Sequence, residues 1–465
     1  MNAGIDAGSF RDPRGHIYID DGRVFRTVTK SGLADFQQVR QTGLLDKLVD
    51  NNRLVAFEEA DAAHLSFVPQ DVDLVLEHPR LPFISYPYEW GFQLLKSAAL
   101  LQLDIYAEAL QHDVTLTDAS AYNIQFVGSR PIFIDHLAFR PYRDGEFWTA
   151  HRQFCEQFLN PLLLRAKLGI VHNAWYRGAL EGISTSDLNR LLPLRKKFSW
   201  NVFSQVVLQD KFQEASLDKS ARATVSINKG LPKQSFERML MSMRNWIEKL
   251  QPLDSGKTVW GGYAADNSYS GEGASQKRAF IADFARVVQP KLIWDIGCNT
   301  GEYSAAALEA GAASIIGFDF DQTAIDMAYQ RAVDNDLQLL PLYLDAANPA
   351  PDQGWGERER KGLRGRAECD AILALALVHH LAIGKNVPLE AVVNWLLSLA
   401  PNGVIEFVPK SDPMVQELLR FRDDIFDKYT LENFERSIQA TATIKRWDNV
   451  EGSERRLVWY RRKDI

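Results

Sequence analysis

The stretch LIWDIGCNTGEYS, residues 292–304, constrains this chain more than any other. An apolar strand ends in Asp295, glycines follow at Gly297 and Gly301, and the helical pattern of Tyr303, Ala307 and Leu308 begins at once. Glycines permit a sharp turn and a close approach of backbone to a ligand, and a helix start offers unpaired N–H groups. Further on, Gly317-Phe318-Asp319 closes a second strand. Its carboxylate is placed at the carboxyl edge of a sheet, where it can accept hydrogen bonds from ribose hydroxyls. The loop reads DxGxxxG, so the glycines of a dinucleotide pyrophosphate cradle are missing. Around it the rhythm is strand, helix, strand. Residues 291–295, 314–319, 338–344, 370–375 and 403–408 read as strands, mostly separated by helical patterns as parallel crossovers require. Residues 441–447 and 456–460 are strand-like with only a turn between them, hence an antiparallel pair. A mostly parallel sheet finished by a hairpin is the expected architecture.

DIGCNTGEYS followed by IIGFDFD resembles the class I S-adenosylmethionine-dependent methyltransferases, over about residues 256–465. The resemblance implies a Rossmann-like sheet of seven strands with the last antiparallel, and S-adenosyl-L-methionine as cofactor. It also implies that Asp295, Gly297 and Gly301 approach the methionine part of the cofactor, while Asp319 holds the ribose diol. Asp345, in LYLDAANP, maps to the acid that often faces the adenine amino group; capping of the following turn is the other reading. Asp321 reads as a helix cap for residues 323–331. Tyr263, Asn267 and Tyr269 precede the cofactor strand, in a stretch that commonly folds over the donor in this family, and Tyr269 is the candidate contact; a plain aromatic linker is the alternative.

The fourth strand runs into Val-His-His-Leu, residues 378–381, whose place faces the methyl donor. His379 or His380 can orient or deprotonate an acceptor hydroxyl or amine, or can simply pack. No Asn-Pro-Pro-Tyr motif stands here, which argues against methylation of adenine N6 or glutamine. Glu406 and Lys410 close the fifth strand and read either as a polar rim of the acceptor pocket or as a surface pair. Methyl transfer needs little covalent help from protein, because the sulfonium is already activated and alignment with exclusion of water supplies much of the effect.

Residues 1–255 read differently. Residues 15–26 place an Asp-Gly pair between two short alternating stretches, a hairpin signal. Residues 65–83, marked by Pro69, Pro79 and Pro82, read as irregular. Residues 88–110 predict a largely buried helix, and 124–127 with 131–134 a hairpin. Residues 147–168 read as helix broken or kinked at Pro161. Residues 235–250 form an amphipathic helix that Ser235 can cap. The region 115–139, TLTDASAYNIQFVGSRPIFIDHLAF, offers Asp118, Asn123 and Asp135. These resemble the catalytic and metal loops of kinase-like phosphotransferases, which implies an α+β kinase-like N-terminal domain. No Gly-rich loop covers residues 15–30, no strand lysine with a helix glutamate can be placed, and DFG is replaced by Asp135-His136-Leu137. The expected use is substrate recruitment or structure, with ATP-dependent phosphotransfer as the competing reading. With SYPYEW and DASAYN ahead of the methyltransferase half, most of the chain resembles proteins associated with rhizobial host-specific nodulation.

Composition sets the remaining limits. The 465 residues are 46% apolar and 24% charged with a formal net charge of −7, ordinary globular usage. Cys155, Cys298 and Cys369 lie far apart with no CxxC pair, so a disulfide framework is not expected and no metal set is indicated; a cytoplasmic location is the default. No apolar run suits a signal peptide or membrane insertion. Mild acidity disfavours nucleic acid as a general partner. The loop GERERKGLRGR, residues 356–366, carries five basic and two acidic side chains and reads as solvated. The acceptor stays open among small molecule, glycan, RNA and protein, and a non-catalytic cofactor-binding module is the last alternative.

Overall fold

The computed structural model describes residues 4–61, 65, 71–211, 231–253 and 271–463. The chain divides into two compact units, one of residues 1–126, 131–255 and 353–360, the other of residues 127–130, 256–352 and 361–465.

The first unit holds a five-stranded antiparallel sheet built from β1 (Gly4–Ile5), β2 (Ile17–Asp20), β3 (Arg23–Thr29), β4 (Glu58–Glu59) and β5 (Val72–His78), in the order β1-β2-β3-β5-β4. The Asp21-Gly22 turn between β2 and β3 uses two left-handed residues, φ 47° and 77°, which match the twist of a tight hairpin. β5 corrects the irregular reading of 65–83. It starts after Pro69 and stops before Pro79, so the prolines bound the strand without interrupting a ladder. The expected long helix spans Phe92–Gln111 and is buried along most of its length, with Leu94, Leu95, Ala98 and Ile105 fully so. It packs beside β6 (Val114–Leu116), which pairs with β9 (Phe139–Pro141), while β7 (Ile124–Val127) and β8 (Arg130–Phe133) form the predicted hairpin.

Pro161 neither breaks nor ends its helix. A π-helical turn at Cys155–Leu159 absorbs the misfit, and α-helix resumes at Asn160–Leu168 with the proline in its first turn, where no N–H is needed. Ser235 does not cap the next helix. That helix is Lys233–Glu248 and begins at Pro232, whose φ of −58° already suits the first turn; its buried face is Phe236, Leu240, Met243 and Ile247.

The second unit is a seven-stranded sheet. Its strands are β10 (Ile293–Ile296), β11 (Ile315–Asp319), β12 (Leu339–Tyr343), β13 (Ala371–Ala374), β14 (Asn402–Phe407), β15 (Ala442–Asn449) and β16 (Arg456–Arg462). The order is β12-β11-β10-β13-β14-β16-β15, parallel from β12 to β14, with β16 antiparallel to both of its neighbours. This is the Rossmann-like sheet with its terminal hairpin. The parallel strands β10 to β14 are mainly apolar and buried because both faces are covered, whereas the edge strand β15 alternates buried and exposed residues. The helix Gly271–Val288 lays Phe280, Ile281 and Phe284 against Ile293, Ile315, Leu373 and Leu457 to make the core. Strand order turns back at β10, which has β11 on one side and β13 on the other. A crevice therefore opens at the carboxyl ends of β10 and β13, and that is where such sheets bind ligands.

Candidate functional site

The turn after β10 is shaped by its glycines. Gly297 has φ +88° and Gly301 φ +74°, both left-handed, and Gly301 caps the helix Glu302–Glu309. A side chain at Gly301 would start 2.9 Å from Leu339 Cδ2, so the helix packs there only without one. At Gly297 the space a Cβ would take has no heavy atom nearer than the Leu375 carbonyl oxygen at 3.6 Å, leaving room on the crevice side. The turn is tied to β11, whose Phe318 carbonyl accepts from the N–H groups of Gly297 and Cys298 at 2.7 and 3.0 Å.

Two acids frame this turn. Asp295 is 1% exposed and accepts from the Ser304 hydroxyl at 2.6 Å. Burial pushes its carboxyl up to about 7, against the pull of that hydrogen bond. Asp319 ends β11, with one oxygen accepting from the Asn299 N–H and the other from the Asp321 N–H, each at 2.9 Å. Burial raises it to about 6, and these backbone donors oppose the rise. The Phe320 N–H adds a third backbone donor to this carboxylate. The left-handed glycine turn and this carboxylate stand together at the carboxyl ends of β10 and β11.

The other predicted cofactor residues divide. Asp321 caps the helix Gln322–Asp334 through Thr323 and Ala324 N–H, as expected. Asp345 accepts from Ala347 N–H at 3.0 Å, closing its own turn. Tyr263, Asn267 and Tyr269 lie outside the described residues.

Beyond β13 the chain reaches the two histidines. His379 is 1% exposed, and neither ring nitrogen has a hydrogen-bond partner among the described residues. Its ring lies 4.1 Å from that of His380. Burial, then His380, holds His379 well below the usual imidazole range, and burial, then Arg455, brings His380 down to about 4. Both are neutral near pH 7. A buried imidazole without partners loses its water hydrogen bonds for nothing in return, so a donor or acceptor from outside the chain is the natural complement.

Behind the histidines is a charged network that sequence reasoning missed. Glu406 is fully buried rather than on a rim or at the surface. It bonds Lys277 at 2.8 Å, lies 3.8 Å from Arg455, and accepts from Ala376 N–H at 2.9 Å. Arg455 grips Asp412 at 2.6 and 3.0 Å, and Lys410 pairs instead with Asp424. Ala376 has φ +50°, so Glu406 holds a strained residue at the base of the His379 loop. Nothing local marked Lys277 or Arg455. The basic loop is also more ordered than a solvated segment: Glu359 is buried against Arg11, and Arg366 is buried, while Arg358, Lys361 and Arg364 are exposed.

The first unit carries a separate polar cluster. The Asn123 amide donates to both oxygens of Asp118 at 3.3 and 3.2 Å and to Asp135 at 3.3 Å. Arg26 on β3, also missed, pairs with Asp135 at 2.8 Å. Burial, then Asp135, raises Asp118 to about 7. Tyr106 fixes the loop by donating to the Asp118 carbonyl at 2.9 Å. Among the described residues no group of three or more His, Cys, Asp and Glu side chains could hold a metal ion.

Residues 294–405 match the family model of a methyltransferase domain. With the strand order, the glycine turn and the two acids, they make the second unit a class I S-adenosylmethionine-dependent methyltransferase, with S-adenosylmethionine as its cofactor. Over its whole length the chain is 45% identical to nodulation protein NoeA of Rhizobium meliloti (strain 1021), across 463 residues that cover 98% of this chain and 96% of the relative, and it belongs to the NoeA family. Solved structures with some likeness include magnesium protoporphyrin IX methyltransferase of Synechocystis PCC 6803 (18% identity, TM-score 0.31, 41% of this chain and 84% of that one). Another is the N-methyltransferase NodS of Bradyrhizobium japonicum WM9 (10%, TM-score 0.31, 42% and 99%). Neither likeness, at that score, adds to the assignment.

Proposed function

We propose that the second unit transfers a methyl group to an oxygen or nitrogen of an acceptor held beside His379 and His380. The observation that carries this is His379, buried beyond the carboxyl end of β13 with both ring nitrogens unpartnered among the described residues. S-adenosylmethionine, when bound, supplies an activated methyl on a sulfonium. The chain's part is to hold and align. Gly297 and Gly301 let the backbone approach the methionine end, and Asp295 sets a carboxylate beneath it. Asp319 takes the ribose hydroxyls, with Asp345 towards the adenine amino group. His379, neutral and far down its titration, is a weak base, so its role is to accept a hydrogen bond from the attacking hydroxyl or amine and aim a lone pair at the methyl carbon. The acceptor is a small molecule, glycan, RNA or protein. Three free, buried cysteines suit a cytoplasmic site of action, and no described helix is long and apolar enough to cross a membrane.

The test has two arms. Calorimetry with S-adenosylhomocysteine is expected to show binding that Gly301→Arg abolishes. Labelled-methyl transfer into native cell extract, read by mass spectrometry, is expected to persist in wild type and to drop at least tenfold in His379→Ala while homocysteine-ligand binding is kept. Unchanged transfer in both His379→Ala and His380→Ala removes the histidines from the reading.

A second reading concerns the first unit, and we propose it on one observation. Asn123 stands between Asp118 and Asp135, below a five-stranded antiparallel sheet whose β3 supplies Arg26 to the same group. This arrangement supports a kinase-like domain that either binds a nucleotide or keeps only the scaffold for recruiting the acceptor. Magnesium-dependent ATP binding, lost in Asp135→Ala, separates the two uses.

A further inference from the structure

The segment LNRLLPLRKKFSWNVFSQVVLQ, residues 188–209, takes no part in either site. It carries Arg190, Arg195, Lys196 and Lys197 and no acidic residue, in a chain whose net charge is −7. One side of it is anchored, since Leu188, Leu192, Val202 and Val206 are buried. The other side inverts the usual rule. Leu194, Phe198 and Trp200 are 76%, 86% and 76% exposed. Single exposed apolar side chains are ordinary, but three nearly bare ones within seven residues, interleaved with a run of three cations, mark an interaction surface. A further cation stands close by, because Lys167 is lowered first by burial and then by the charge of Lys196.

We propose that this face docks on an anionic membrane surface, with Phe198 and Trp200 entering the lipid interface and Arg195, Lys196 and Lys197 meeting the headgroup phosphates. Shape and charge both favour this occupant. A protein partner needs a complementary hollow for each protruding ring, whereas a lipid surface admits protruding side chains without prior fit. Tryptophan and phenylalanine flanked by lysine and arginine match the depth profile of a bilayer, apolar bodies inward and cations at the phosphate level. The short helices Leu194–Lys197 and Trp200–Val202 hold these side chains out as a fixed knuckle, so little ordering is needed on contact. The inference is independent of the methyl acceptor and of the nucleotide reading.

The experiment is co-sedimentation of the full chain with unilamellar vesicles of phosphatidylcholine alone and of phosphatidylcholine with one third phosphatidylglycerol. Binding to the anionic vesicles only is expected, lost in about 1 M salt, where the Debye length is about 3 Å. Arg195→Glu/Lys196→Glu/Lys197→Glu is expected to lower partitioning by about a hundredfold, at about fivefold per cation. Phe198→Ser/Trp200→Ser is expected to lower it about tenfold, through lost apolar burial. The salt series on the unmodified chain makes the electrostatic test without any substitution. Failure to sediment with either vesicle, or equal sedimentation of wild type and both variants, overturns the proposal and leaves the face to a protein partner.

Discussion

Asp319 accepts from the backbone N–H groups of Asn299, Phe320 and Asp321, so its charge state matters to any ligand that donates to it. Its carboxyl is raised to about 6 in the free protein, and ribose hydroxyls need it ionised. Affinity for S-adenosylhomocysteine is therefore expected to climb as pH rises from about 5 through 6 and to level off above about 7. Asp319→Asn is expected to flatten the profile and weaken binding about tenfold or more, the worth of a charged hydrogen bond; calorimetry across pH reads both. Asp295 speaks to stability instead. Its folded pKa is raised to about 7, so its contribution is fully present below the ordinary carboxylate pKa and is lost as pH rises through about 7. A rise from 3.8 to about 7 corresponds to at most about 4 kcal/mol. Thermal unfolding of the apo protein is expected to fall between pH 5 and 8 in wild type and to stay flatter in Asp295→Asn, which keeps an acceptor for Ser304. An equal fall in both removes Asp295 as the source.

Elements in the second unit are fixed by two devices, a glycine turn and a buried ion network. At Gly301 the left-handed backbone and the nearby Leu339 both oppose a side chain. Gly301→Ala is expected to cost about 1–2 kcal/mol from the backbone alone. The network joins the helix Gly271–Val288, β14 and the turn before β16 through Lys277, Glu406, Arg455 and Asp412. Burial lowers Lys277, and Glu406, its salt-bridge partner, opposes that. Removing one partner strands the other. Glu406→Ala is expected to lose about 3–5 kcal/mol, while adding Lys277→Met should recover at least about 1 kcal/mol of it. Urea unfolding of the double-mutant cycle decides this, and strictly additive losses sink the network as a cooperative unit.

At the scale of the molecule, legibility followed sequence distance. The glycine turn after β10 was readable because strand end, acid and glycines fall within a dozen residues, and Asp321 because a helix cap is a local signal. The terminal hairpin was readable from its turn residues. Glu406 was not, since an acid at a strand end looks exposed and its partner Lys277 lies 129 positions away. Arg26 escaped for the same reason, 109 positions from Asp135. β5 was hidden by flanking prolines that in fact delimit it. What sequence could not supply was the pairing of distant charges. In the first unit's cluster Arg26 and Asn123 already occupy Asp135, and Asp118 is raised to about 7. A magnesium ion must displace the Asn123 amide and find Asp118 ionised, so any binding should strengthen as pH rises from 6 to 8. Asp135→Ala is expected to abolish magnesium-dependent ATP binding while changing the affinity for S-adenosylhomocysteine by less than about twofold, within ordinary additivity for distant sites, because Asp295, Gly297 and Asp319 belong to the other unit. Paired calorimetric titrations on the full chain at pH 8 test it. Absence of ATP binding in wild type removes phosphotransfer and leaves acceptor recruitment, whereas loss of homocysteine-ligand binding in the variant shows that the two sites are not independent.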